Sequence, residues 1–134
     1  MKAIVAKVAP RYRDLVSIVR GRVPQEYALF MAHECGYHGR RFVHLTFRDD
    51  SRLLSVVIAR KDGGESFTKA DLPPALAQSG IPIYRAGVQR FQIAAFETSG
   101  HLVYFISDLP EQKNTEIMVA LAPNVREFLR RLES

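Results

Sequence analysis

The stretch His33-Glu34-Cys35-Gly36-Tyr37-His38-Gly39-Arg40-Arg41-Phe42-Val43-His44 decides how this chain is read. It holds three of the four histidines and the single cysteine. A turn at His38-Gly39, between two apolar runs, makes it a β-hairpin. If the turn has two residues, Tyr37 lies opposite Arg40, Cys35 opposite Phe42 and His33 opposite His44. Side chains two apart on a strand share a face. His33, Cys35 and His44 are therefore expected on one face, within reach of each other. The expectation depends on register, because a one-residue slip moves every side chain to the other face.

Imidazole and thiolate are the ligands that zinc and other borderline-soft transition metals prefer. His33, Cys35 and His44 thus form a candidate metal site for zinc or a related ion. His101 or His38 is the candidate fourth ligand, with Glu34, water or an effector as alternatives. A plainer reading makes Cys35 a small core residue and the histidines ordinary strand residues. A third makes Cys35 a redox-sensing thiol, activated by His33, His44 and Arg41. A Cys–His catalytic pair fits poorly, since Cys35 sits mid-strand with no oxyanion loop in view. Ser107-Asp108 and His101 follow no recognised triad order. No catalytic residue is assigned.

Outward from the hairpin, Tyr27 to Tyr37 and Arg41 to Phe47 read as its two strands. Asp49-Asp50-Ser51 is a turn cluster, and Leu53 to Arg60 is a β-branched third strand. Lys61 to Gly80 reads as a connecting loop, with a short helix capped by Asp71, starting near Pro73 and ending at Gly80. Ile81 to Tyr84 suits a short edge strand, where proline is tolerated. Arg90 to Glu97 and His101 to Ser107 flank a hairpin turn at Thr98-Ser99-Gly100.

The ends of the chain read as helices. Ile4, Val5, Val8, Tyr12, Leu15, Val16 and Val19 recur at helical steps, interrupted by Pro10 and ended at Gly21. A helical turn before Pro10 and a helix after it are expected. At the other end, Ile117, Met118, Leu121, Val125, Phe128, Leu129 and Leu132 form an apolar stripe, with Pro123 inside it.

The expected fold is α+β. An antiparallel β-meander of about five main strands carries an N-terminal helix and a C-terminal helix, kinked near Pro123, on one face. Residues 1–134 make a single domain, with a helical segment at 1–22, the sheet at 27–107 and the C-terminal helix at 110–132.

Composition agrees with a globular domain: 134 residues, 47% hydrophobic and 25% charged, enough for a real core. No run approaches the ~20 apolar residues of a membrane helix, and no signal peptide is apparent. One cysteine excludes an internal disulfide. The net charge of +5 gathers in three groups. These are the cations of residues 1–22, then Arg40, Arg41, Arg48 and Arg52, then Arg126, Arg130 and Arg131. A nucleic-acid or anionic-lipid surface is one reading. With no aromatic stacking platform beside the charge, solubility is the better one, and nucleic acid is not an expected partner. The aromatic residues Phe91, Phe96, Tyr104 and Phe105 read as core rather than as a ligand cage.

A family likeness emerges from the whole run. His33-x-Cys35, Gly39 to His44 and Leu53 to Ile58 resemble the extracytoplasmic C-terminal domains of bacterial transmembrane anti-sigma factors. So do Gly87 to Phe91 and Val103 to Leu109. The likeness covers about residues 28–130 and rests on strand order and short motifs. It implies a non-catalytic sensory or regulatory domain, controlling transcription through binding of a signal or partner. The location implied is extracytoplasmic, at the periplasmic face of the inner membrane. The implied partners are a protein, a small-molecule or metal signal, or a second copy of the chain. Sigma-factor contact is expected only through an N-terminal zinc-finger module. Neither the His-x₃-Cys-x₂-Cys spacing of that module nor a membrane span occurs in this sequence. The alternative is a small cytoplasmic metal-binding or thiol-redox protein, an enzyme among the options, working through His33, Cys35 and His44.

Overall fold

Among the described residues, alternating apolar residues broken by tight turns produce seven strands. They are β1 (Ala28–Tyr37), β2 (Arg40–Arg48), β3 (Leu53–Arg60), β4 (Pro74–Gln78), β5 (Ile81–Val88), β6 (Phe91–Glu97) and β7 (His101–Ser107). The computed structural model describes residues 10–37, 39–67, 74–78 and 80–134. All seven strands join one antiparallel sheet in the order β1-β2-β3-β7-β6-β5-β4. The chain is therefore two meanders, β1 to β3 and β4 to β7. They meet where β3 pairs with β7.

A 3-10 turn at Pro10–Tyr12 leads into α1 (Arg13–Arg20), and α2 (Glu111–Glu133) closes the chain. α2 lies over β5, β6 and β7, and α1 packs against α2. The fold is thus α+β, with both helices packed on the sheet. The helical turn expected before Pro10 falls outside the described residues. Among the described residues, no helix is long and apolar enough to cross a membrane.

Alternation sorts the sheet into two faces. The inner face, under the helices, carries Val43, Leu45, Phe47, Leu54, Val56, Ile58, Phe96, Val103 and Phe105, each no more than 2% exposed. Met118, Leu121, Val125 and Leu129 of α2 and Leu15, Val16 and Val19 of α1 complete this core. The outer face carries a smaller cluster of Ala59, Phe67, Tyr84, Ala95 and Leu102, flanked by Phe42 and Tyr104. Phe67 comes from the segment after β3. Glu97 holds that segment down by accepting from Lys61 Nζ at 2.8 Å, Ser66 Oγ at 3.1 Å and the Phe67 amide at 2.8 Å.

Two elements differ from expectation. Residues 74–78 are strand β4, where a short helix was expected. The run Ala75 to Gln78 favours a helix by propensity, and its backbone pairing with β5 overrides that preference. β5 is interior rather than an edge. Its Pro82 lies beyond the last β5–β6 pair, Tyr84 with Ala95, and opposite Ala77 of β4. Pro123 sits inside α2 without dividing it. Buried residues on both sides, Met118 and Leu121 before it and Val125 and Leu129 after it, hold the two halves on one sheet.

Candidate functional site

The β1–β2 hairpin has the register expected from its turn: Tyr37 with Arg40, Cys35 with Phe42 and His33 with His44. Gly39, at φ 80°, takes the left-handed conformation that such a turn requires. His38 lies outside the described residues. At the far end of the hairpin the ladder is irregular, with Leu29 opposite Phe47 but Met31 opposite Thr46. Phe30 is therefore an extra residue, a β-bulge. It resets the alternation, so that Leu29 faces inward while Met31, His33 and Cys35 face outward.

The outer face is built of cross-strand rows. One runs His33, His44, Val57, Tyr104, Ala95, Tyr84 across six strands. The His33 and His44 rings are 5.3 Å apart between centroids and tilted by 55°. His44 Nε2 lies 3.5 Å from Thr46 Oγ1. His33 Nδ1 is buried without a hydrogen-bond partner. Burial, and after it the neighbouring His33, hold the His44 imidazole below its ordinary pKa. The lowered pKa favours the neutral imidazole, the form in which histidine binds a Lewis acid.

The structure brings two of the three candidate ligands together. Cys35 shares their face but stands in the next row, opposite Phe42, and is exposed. Among the described residues, no group of three or more His, Cys, Asp or Glu side chains is placed to hold an ion. His101 cannot complete this site. It pairs with Arg60 at the end of β7 and faces the helices. Glu34 likewise faces inward, where Arg41 Nη2 donates to it at 3.0 Å. Arg41, invoked above as an activator of the Cys35 thiol, is thereby turned away from it.

A second polar cluster escaped the sequence reading. His101 is 4% exposed, and both its ring nitrogens are engaged. Nδ1 donates to Glu133 Oε2 at 2.5 Å, and Nε2 shares a hydrogen bond with the Tyr12 hydroxyl at 3.0 Å. Glu133 also accepts from Thr98 Oγ1, Ser99 Oγ and the Gly100 amide. Burial alone would raise the Glu133 carboxyl; the bonds from His101, Thr98 and Ser99 outweigh it and leave it below its ordinary pKa. The cluster clasps the end of α2 and the start of the N-terminal helical segment onto the β6–β7 turn. Three residues separated by 89 and 32 positions meet here. The only local signal was the Thr98-Ser99-Gly100 turn.

The cations also separate. Arg40 and Arg41 lie at one end of the sheet, whereas Arg48 packs its guanidinium over the Phe30 ring at 4.0 Å and Arg52 pairs with Asp108 at 3.2 Å, both at the other end. Phe96 and Phe105 are core, as expected, while Tyr104 meets Phe67 edge-on with centroids 5.7 Å apart on the outer face.

No protein-family model matches the chain, and neither a curated protein nor a solved structure matches it significantly.

Proposed function

We propose that this chain is a non-catalytic sensory or regulatory domain that receives its signal on the outer face of the sheet, at the β1–β2 edge. The carrying observation is the His33–His44 pair. Two imidazoles lie side by side, one with its pKa depressed and the other with a buried nitrogen lacking a partner. A buried polar atom without a partner is a standing cost that a ligand removes. The ligand class that suits such imidazoles is a borderline transition metal such as zinc or copper(II). Remaining coordination positions would be filled by water or by a donor on the signal itself.

The inner face favours the same assignment, since the helices occupy it and the Tyr12–His101–Glu133 cluster is spent as a clasp. The resemblance to anti-sigma outer domains supplies the regulatory half of the proposal. Ligand binding at the sheet edge would bias one of two conformations and so act on a partner that controls transcription, from an extracytoplasmic position.

The test is thermal unfolding and calorimetric titration of metal-free protein with zinc and copper(II). The wild type is expected to bind one equivalent and to be stabilised; His33→Ala and His44→Ala lose both effects. A wild type that binds neither ion at micromolar concentration overturns the metal assignment. Transcript profiling of a strain lacking residues 10–134 addresses regulation separately. A coherent set of altered transcripts is expected, and an unchanged profile removes that half.

A further inference from the structure

At the turn end of the β1–β2 hairpin, cationic side chains converge on one concave place. Gly39, Arg40, Arg41, Arg60, Lys61 and Asp62 line an open cleft of about 390 Å³. Four cations and one carboxylate, Asp62, line it, and three further carboxylates, Glu34, Glu65 and Glu97, pair with cations of the lining. Arg60 also walls a second cleft of about 370 Å³, beside Arg11, Tyr12, Ser99 and Gly100.

The cations are held rather than loose. Arg40 is fixed by Glu65 at 2.6 Å, Lys61 by Glu97 at 2.8 Å and Arg41 by Glu34 at 3.0 Å. The Arg41 pair is asymmetric. Its arginine side chain is 60% exposed, while Glu34 is 7% exposed. A guanidinium carries five N–H donors, and one carboxylate occupies at most two of them. Arg41 is thus anchored from within and still presents donors outward. Arg60 is exposed and enters no ion pair among the described residues. It projects from the final residue of β3, a rigid element.

We propose that this cleft binds a phosphate-bearing small molecule, with Arg41 and Arg60 as its principal contacts. Paired guanidinium groups match tetrahedral oxyanions by forked hydrogen bonding. Lys61 adds a point charge. An extended polyanion is disfavoured, because the cations converge instead of forming a track, and Asp62 and Glu65 flank them. Neither His33 nor His44 lines the cleft, so the proposal stands or falls independently of the metal assignment.

The experiment is an amide-resolved NMR titration of the whole chain with inorganic pyrophosphate, repeated with Arg41→Gln, Arg60→Gln and the remote control Arg130→Gln. Saturable shifts are expected at Gly39, Arg40, Arg41 and Lys61. Arg60→Gln and Arg41→Gln are each expected to weaken binding roughly tenfold, the order of one lost charge-assisted contact. Arg130→Gln leaves it unchanged. His44→Ala also leaves it unchanged, which keeps the two proposals distinguishable. Absence of saturation in the wild type overturns the inference. So does equal weakening in Arg130→Gln, which would mark a response to net charge alone. A further arm uses phosphatidylcholine vesicles with and without phosphatidylglycerol. Binding to the anionic vesicles without binding of pyrophosphate assigns the cleft to a membrane surface and overturns the small-molecule reading.

Discussion

His44 and Glu133 are two titratable side chains whose environments couple this fold to pH. Desolvation, helped by His33, lowers the His44 pKa. The unfolded chain then binds a proton more readily than the folded one, so the stability present above the ordinary histidine pKa is lost as pH falls through the lowered value. Replacing His44 by glutamine is expected to flatten the fall in melting temperature between about pH 7 and pH 5. Glu133 acts lower on the scale. Its carboxyl is held below the ordinary value by His101, Thr98 and Ser99 against the opposing effect of burial. Its stabilising contribution is complete above the ordinary carboxyl pKa and disappears as pH drops through the depressed one. Wild-type protein should therefore lose more stability than Glu133→Gln from about pH 5 to about pH 3, measured by chemical denaturation. Spacing in the sequence pointed to His33 and His44 because a hairpin is a local structure. Glu133 gave no such sign, since its partners lie on another element.

Turns and breaks decide what the elements do. Gly39 has a positive φ of 80°, and a Cβ there would meet nothing within 4 Å. Gly39→Ala therefore costs only backbone strain, about 1 kcal/mol. That cost should appear as a lower denaturation midpoint with an unchanged m-value. The bulge at Phe30 is the counterpart of this turn. The turn sets the register of β1 against β2, and the bulge lets Leu29 enter the core although His33 points out. α2 carries its own defect in Pro123, which removes one intrahelical hydrogen bond. Pro123 is exposed. Pro123→Ala is expected to stabilise the protein by ~1 kcal/mol or more, seen as a raised melting temperature. Element types were largely legible in advance because they follow from local periodicity. Strand β4 was not, because Ala75 to Gln78 favour a helix on their own and pairing with β5 overrides that preference.

Across the whole molecule, the β3–β7 seam joins the two meanders into one sheet under a single core. Phe105 sits on that seam, opposite Val56, at 0% exposure. Phe105→Ala should cost ~3–5 kcal/mol, from lost burial and the cavity left behind. That is a large share of the ~5–15 kcal/mol typical of a domain. Both meanders should then melt together at the lower temperature, in one transition with coincident far-UV and near-UV signals. Two separated transitions would mean that the seam does not couple the halves.

By itself, the sequence determined the α+β class, both helices, the His33–His44 register and the common face of His33, Cys35 and His44. Each of these depends on residues a few positions apart, where sterics and periodicity act directly. The tertiary structure alone decided that β7 lies beside β3, that His101 faces the helices, and that Arg41 and Arg60 share a cleft. These outcomes come from burying apolar surface across the whole sheet, a drive that is large but non-directional. It leaves few local marks on the residues it brings together.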